Sequence, residues 1–125
     1  MDEKTILAEA AKAQQHAYAP YSGVRVGACV ETASGDTFCG CNVENASYGL
    51  TICAERAAIF AAIAAGHTRM KQVAIVAEGM AKAAPCGACL QVMNEFGVEK
   101  VLVANPDGSF ETYELASLLP HPFRL

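Results

Sequence analysis

Apolar residues recur along this chain with two different periods, and these periods predict which segments are helices and which are strands. A helical spacing predicts helices at 3–17, at 51 or 52 to 65, at 85–96 and, as a short helix or turn, at 115–119. Alternating or continuous apolar runs predict strands at 24–30, 37–43, 73–77, 100–104 and 110–113. The order of these elements predicts an α/β protein, in which helices cover a sheet.

Residues that end helices and form turns separate the predicted elements. Pro20 ends the first helix, because a proline disfavours helical backbone in the residue before it, and Gly66 and Gly97 stop the second and third. Ser34-Gly35-Asp36 is a hairpin signal between the first two strands. The later strand–helix–strand steps favour parallel neighbours joined by right-handed crossovers.

Length and composition limit the kind of protein and the kind of substrate. The 125 residues predict a single domain, 1–125, and the 53% hydrophobic content exceeds the usual value of about 45–50%. That surplus indicates an apolar surface buried between subunits. The net charge is −4 and the basic residues form no stripe, which excludes nucleic acid as a partner and favours a small molecule as substrate.

The sequence has no pattern typical of a membrane span or a secretion signal. Its longest apolar run, 57–65, is too short to cross a bilayer, and the Asp2-Glu3-Lys4 start lacks the basic and apolar regions of a signal peptide. We therefore expect a cytoplasmic protein that makes no membrane contact. In that compartment the six cysteines indicate metal binding or catalysis rather than a disulfide framework.

Three thiols and a carboxylate lie where the second and third helices are predicted to start. Cys53 and Glu55 lie at the predicted start of the second helix. Cys86 and Cys89 form a Cys-x-x-Cys pair after Pro85, at the predicted start of the third. Three thiolates leave the fourth position of tetrahedral Zn²⁺ open for water, which is the catalytic rather than the structural arrangement. Zinc lowers the pKa of such a water. Glu55 is not needed as a ligand and is therefore free to move protons.

Arg56 follows this group and can donate hydrogen bonds to the sulfurs. Zinc with three thiolates carries a net charge of about −1, and a neighbouring arginine would offset it. The alternative for Arg56 is an ordinary charge on the helix surface. None of His16, His67 and His121 lies beside the motif, so none is expected as a fourth ligand.

The other cysteines, Cys29, Cys39 and Cys41, are predicted to be small buried hydrophobic residues. Cys39 and Cys41 are two apart in a predicted strand and so share a face. A second metal site there is the alternative, although no further ligands cluster nearby.

Asn42 and Glu44 stand two apart at the end of a predicted strand and so face the same way. An amide and a carboxylate on one face suit sugar hydroxyls, which both donate and accept hydrogen bonds. The alternative is a polar strand end that faces water.

The chain resembles the small, homotetrameric cytidine deaminases in segments that span nearly its whole length. The matching segments occur in the family's order: Tyr21-Ser22 with Val26-Gly27-Ala28, Gly40-Cys41-Asn42-Val43-Glu44-Asn45-Ala46, Cys53-Ala54-Glu55-Arg56, Pro85-Cys86-Gly87-Ala88-Cys89 and Leu118-Leu119-Pro120. The resemblance implies a three-layer α/β/α fold with a five-stranded mixed sheet. It also implies a homotetramer with shared active sites, one Zn²⁺ per chain and no organic cofactor.

The resemblance further implies hydrolysis of cytidine or deoxycytidine to uridine or deoxyuridine and ammonia. Water would attack C4 of the base while Glu55 moves protons to N3 and to the leaving amine. Asn42 and Glu44 would hold the ribose 3′-hydroxyl, and the Ala54 N–H would contact the base together with carbonyls near Pro85 and Cys86.

A neighbouring subunit is implied to complete each site. In the family, the segment 45–49 reaches that site, with Ala46 and Tyr48 near the nucleoside, and the counterpart of Phe123 stacks on the base. The alternative for Phe123 is local packing of the tail.

Two residues depart from the family pattern. Val24 stands where the family usually has a phenylalanine that borders the nucleoside, and Leu90 stands where it usually has an arginine. These changes leave open an aminohydrolase for another aminopyrimidine nucleoside, such as a blasticidin-type antibiotic. A zinc-stabilised binding module without catalysis is a further alternative, but it would normally supply a fourth protein ligand.

Overall fold

The computed structural model describes all residues, 1–125. In chain order its helices are α1 (Glu3–Gln14), α2 (Ala54–Ala64), α3 (Gly87–Glu95) and α4 (Leu115–Leu118), and its strands are β1 (Arg25–Thr32), β2 (Thr37–Cys41), β3 (Met70–Glu78), β4 (Lys100–Ala104) and β5 (Phe110–Glu114). A short 3₁₀ helix at Tyr48–Leu50 lies in a segment predicted as loop. No helix has the length and apolar character needed to cross a membrane.

The strands form one sheet in the order β2-β1-β3-β4-β5. Only β3 and β4 run parallel, and the other neighbouring pairs are antiparallel. Helix α1 packs on one face of the sheet, while α2 and α3 pack on the other. The structure therefore confirms the predicted three-layer α/β/α fold with a five-stranded mixed sheet.

The central strands are buried on both faces, which explains their continuous apolar runs. In β3, Val73 and Ile75 join the core under α2 and α3, whereas Ala74 joins the core under α1. In β4, Val103 joins the core under α2 and α3, and Leu102 joins the core under α1. Because successive side chains on a strand point to opposite faces, each strand contributes to both cores.

Helix α2 lies unusually close to the edge of the sheet because β2 has a glycine beneath it. A Cβ on Gly40 would lie 2.6 Å from the Ala58 nitrogen of α2, so no side chain fits there. The close approach places the first turn of α2 beside the end of β2. This juxtaposition brings Glu55 and Asn42 to the same cleft.

Several element boundaries differ from the predictions because loop residues pair with one another. Helix α1 ends at Gln14 rather than residue 17, since the chain turns so that the Tyr18 N–H donates to the Asn42 carbonyl at 3.0 Å. Strand β2 ends at Cys41 rather than Val43, because Val43 forms isolated bridges to Tyr18 and Ile52 instead.

The cysteine prediction was wrong in one respect. Cys29 of β1 stands directly opposite Cys39 of β2, and the two sulfurs form a disulfide. Cys29 is buried, but Cys39 is exposed because β2 is an edge strand. Cys41 is half-buried with a free thiol. The alternative of a second metal site has no support, since Cys53, Cys86 and Cys89 are the chain's only cluster of three candidate ligands.

Candidate active site

The starts of two helices bring three sulfurs together. Cys53 is the N-cap of α2 and Cys86 is the N-cap of α3, both with extended backbone, and Cys89 lies one turn into α3. The predicted helices began a few residues earlier, so the two cysteines precede rather than occupy the first turns. Helix N-termini carry partial positive charge, which favours thiolates at these positions.

The three sulfurs fit a zinc ion. Their Sγ atoms all lie within 4.8 Å of one another, and those of Cys53 and Cys86 are 3.9 Å apart. Tetrahedral zinc with Zn–S bonds of about 2.3 Å requires sulfurs about 3.8 Å apart. The donor set is therefore of the right chemistry and spacing for zinc, and Cys53, Cys86 and Cys89 would hold it.

Hydrogen bonds prepare one of these thiols to ionise. A hydrogen bond from Cys89 and another from Arg56 lower the pKa of Cys53 to about 5, against the effect of burial. The pKa of Cys89 is raised by the same contact with Cys53 and by burial. The Arg56 Nη2 donates to the Cys53 sulfur at 3.4 Å, so the guanidinium lies against the sulfur cluster.

Glu55 lies beside the sulfurs and is almost fully buried, with 5% of its surface exposed. Burial raises the pKa of Glu55 to about 7, and the negative charge of Cys53 acts in the same direction. A carboxyl group with this pKa can both take and return protons near neutral pH. Its side chain contributes to the lining of a cavity of about 170 Å³, which Cys53, Ala54 and Cys86 also line.

Asn42 and Glu44 both reach the cleft region but make different contacts. The buried Asn42 amide accepts from the Val26 N–H and donates to the Val24 carbonyl, both at 2.8 Å, and Asn42 lines the cavity beside Glu55. Glu44 accepts from the backbone N–H groups of Tyr21 and Ser22 at 2.9 and 3.1 Å and lines the adjoining pocket. Both side chains are therefore anchored by the protein itself.

The remaining residues expected at the site lie at different distances from it. Ala54 is buried in the cavity wall, and Val24 lines neither pocket, although its carbonyl is held by Asn42. Tyr48 is 74% exposed and stacks edge-to-face with Tyr21 at 6.0 Å, lining the outer pocket. Ala46 is exposed in the loop before it.

Phe123 is not part of the cleft of its own chain. Its backbone is tied to the Gln91 side chain of α3 by two hydrogen bonds of 3.0 and 3.1 Å, and its ring is 70% exposed. The backbone is therefore fixed to α3 while the ring projects outward.

Sequence reasoning missed part of the cavity wall. Its apolar lining also includes Ile52, Ile75, Met80, Ala83 and Ala84. Ile75 belongs to the predicted strand 73–77, whose apolar run indicates burial but no cavity. Met80, Ala83 and Ala84 come from a loop with no motif of its own, and only the position of that loop before Cys86 could have drawn attention to it.

Comparison with known proteins identifies relatives along the whole chain. A family model described as the cytidine and deoxycytidylate deaminase zinc-binding region matches residues 1–105. The cytidine deaminase of Sporosarcina psychrophila is 42% identical over 125 residues, which cover 98% of this chain and 92% of the relative. The probable cytidine deaminase of Dictyostelium discoideum is 43% identical over 122 residues, with 97% and 82% covered.

Solved structures agree with these relatives. The crystal structure of the cytidine deaminase from Burkholderia pseudomallei superposes with a TM-score of 0.92 at 45% identity, over 98% of this chain and 100% of that one. The cytidine deaminase from Mycobacterium tuberculosis gives a TM-score of 0.86 at 38% identity, over 100% and 99%. By family model, sequence and structure alike, this chain belongs to the cytidine and deoxycytidylate deaminase family.

Proposed function

We propose that this protein is a zinc-dependent hydrolase that deaminates cytidine and deoxycytidine to uridine and deoxyuridine with release of ammonia. The observation that carries the proposal is the buried carboxyl group of Glu55 beside three sulfurs spaced for one zinc ion. The family relationship and the relatives named cytidine deaminase support it. The whole chain, 1–125, would act as one catalytic domain.

Zinc held by Cys53, Cys86 and Cys89 would supply a nucleophilic water near neutral pH. Glu55 would take a proton from the attacking water and deliver protons to N3 of the base and to the leaving amine. One carboxyl group can perform both transfers, because the protons stay within the same buried site. Burial of Glu55 also keeps bulk water away from the transferred protons.

The nucleoside would lie between the two adjoining pockets. The Ala54 N–H and carbonyls near Pro85 and Cys86 would contact the base in the inner cavity. Asn42 and Glu44 would hold the ribose 3′-hydroxyl. Asn42 keeps one amide hydrogen beyond the one used on the Val24 carbonyl, and Glu44 keeps unused lone pairs, so both retain capacity for a sugar.

The homotetramer is also part of the proposal. Large exposed apolar side chains include Tyr48, Leu50, Phe60 and Phe123, and an exposed apolar surface of this kind suits burial between subunits. Tyr48 and Phe123 would then contact the nucleoside in a neighbouring subunit's site. A monomer by light scattering at working concentration would contradict shared sites. The predicted cytoplasmic location belongs to the proposal as well, and cell fractionation tests it.

The two alternatives are not favoured. An enzyme for a blasticidin-type nucleoside would share the zinc site, but the named relatives are cytidine deaminases. A binding module without catalysis leaves the burial of an ionisable Glu55 without a purpose.

The test follows the loss of cytidine absorbance with purified protein, with zinc content measured on the same sample. Blasticidin S serves as the second substrate and Glu55→Gln as the matched control. We expect about one zinc per chain in both proteins. We also expect cytidine turnover only in the wild type, with kcat in the variant reduced at least about 10²-fold. Zinc with turnover of blasticidin S alone would favour the alternative substrate.

A further inference from the structure

The loop between β3 and α3, residues 79–86, forms a wall of the cavity beside Glu55. Met80, Ala83, Ala84 and Cys86 all line that cavity. None of residues 79–85 takes part in a backbone–backbone hydrogen bond. The position of this wall therefore depends on side-chain and van der Waals contacts.

The loop is held closely at its start. Gly79 has a φ of 94°, and a Cβ built there would lie 3.1 Å from the Gly23 carbonyl oxygen. The backbone of Gly79 thus lies directly against the loop that precedes β1. Beyond this contact, five residues lead to Pro85 without any backbone hydrogen bond.

Lys82 makes the only polar side-chain contact within residues 79–85. Its Nζ lies 2.7 Å from Oε2 of Glu111 and 5.3 Å from the centroid of the Tyr113 ring. The Tyr113 hydroxyl donates to the same Glu111 oxygen at 2.9 Å. Glu111 and Tyr113 share a face of β5, and Tyr113 packs against the core formed with α2 and α3. Residues 79–85 have no backbone hydrogen bonds, and Lys82 therefore anchors this loop to strand β5.

We propose that Lys82 is a positioning residue for the reaction, whose ion pair with Glu111 and contact with Tyr113 hold the 79–85 loop in place as a wall of the substrate cavity. The inference rests on the proposed deaminase function. Contact with Glu111 raises the pKa of Lys82, and the pKa of Glu111 is lowered by the same contact, so the pair stays ionised at neutral pH.

The first test is kinetic and uses Lys82→Met, which keeps the length of the side chain and removes its charge. The loop would contact substrate and transition state alike, so we expect KM for cytidine to rise about 5-fold with kcat nearly unchanged. Lys82→Arg should restore the wild-type KM, because arginine can pair with a carboxylate and lie over an aromatic ring. Lys12→Met is the matched control, since it removes another exposed lysine–glutamate pair, with Glu9 on α1.

A double-mutant cycle identifies the partner. Glu111→Gln should raise KM as much as Lys82→Met, and the double variant should add nothing further. High salt should raise KM in the wild type but leave the Lys82→Met value unchanged, because exposed ion pairs are screened.

Cleavage by proteinase K gives a readout that does not depend on turnover. Mass mapping should show faster cutting within residues 79–85 in Lys82→Met and Glu111→Gln, and wild-type rates in Lys82→Arg and Lys12→Met. The proposal is overturned if Lys82→Met matches Lys12→Met in both KM and cleavage rate. If the wild type is cleaved slowly but does not convert cytidine, the proposed function is contradicted, while the contact between Lys82 and Glu111 is still supported.

Discussion

The guanidinium of Arg56 lies 3.4 Å from the sulfur of Cys53, one helical turn away along α2. The Arg56 Nε is buried and has no hydrogen-bond partner, so the Cys53 sulfur is the only acceptor that this side chain reaches. It is the one cation that hydrogen-bonds a sulfur of the cluster.

Replacement of Arg56 should therefore weaken the metal site. In Arg56→Gln we expect zinc affinity or kcat/KM to fall by about 10–100-fold, because the charge of three thiolates is no longer offset. Competition with a chromophoric chelator measures the affinity, and Lys12→Met serves as a surface-charge control. Wild-type zinc affinity together with wild-type kcat/KM in Arg56→Gln would contradict a role at the sulfurs.

Removal of zinc should abolish activity and lower the melting temperature. A metal that binds the folded chain more tightly than the unfolded chain stabilises it by mass action. We expect dialysis against a chelator to produce both losses, and added Zn²⁺, but not Mg²⁺, to reverse them, since thiolates select the softer ion. Thermal unfolding followed by circular dichroism checks this, with Cys89→Ser as a variant in which zinc restores neither property.

Asn42 supports the start of β1 as well as the proposed sugar contact. Asn42→Ala removes two hydrogen bonds of 2.8 Å and leaves the Val26 N–H without its partner. We expect the free energy of unfolding to fall by about 1–3 kcal/mol, measured by urea denaturation. Asn45→Ala is a control in an exposed loop, where it removes only one hydrogen bond, from the Ser47 N–H. Equal stability of the two variants would show that the Asn42 contacts carry no such energy.

The ionisation of Glu44 should depend on Ser22. The hydrogen bond from the Ser22 side chain lowers the pKa of Glu44 below its ordinary value of 4.5, and this effect outweighs the opposing effect of desolvation. Ser22→Ala removes that donor, so the pKa of Glu44 should rise toward 4.5 and the acid limb of its titration should move to higher pH. Carbon-13 NMR of the labelled carboxyl groups measures this directly. An unchanged pKa of Glu44 in Ser22→Ala would show that the Ser22 hydroxyl does not lower it.

Gly40 should resist even the smallest side chain. In Gly40→Ala the new Cβ would meet the backbone of α2 at 2.6 Å from the Ala58 nitrogen, which forces the helix away from β2. We expect a loss of about 1–3 kcal/mol in the free energy of unfolding, together with reduced activity as Glu55 shifts. Gly49→Ala is the matched control for the free energy of unfolding, because nothing lies within 4 Å of its added Cβ.

The sequence predicted the elements of this fold, because periodicity encodes them locally. It predicted the cluster of three sulfurs from two separate motifs at predicted helix starts. It could not predict that Cys29 would meet Cys39, since that contact depends on the register between two strands. The anchoring of Asn42 by Val24 and Val26 was hidden for the same reason, since these contacts join residues 18 and 16 positions apart. Lys82 belongs to no sequence motif, and its proposed role follows only from its contact with Glu111 of β5.

Cys53 and Cys86 lie 33 residues apart, with the whole of β3 between them. Closing a loop of that length in an unfolded chain costs about 3 kcal/mol of entropy, so the metal is a poor nucleus for folding. Once β3 has paired with β1 and the two helices have docked, the sulfurs are already neighbours and that entropic cost has been met. The order of events should therefore be sheet first and metal last. Metal capture should follow a folding step whose rate is independent of zinc concentration.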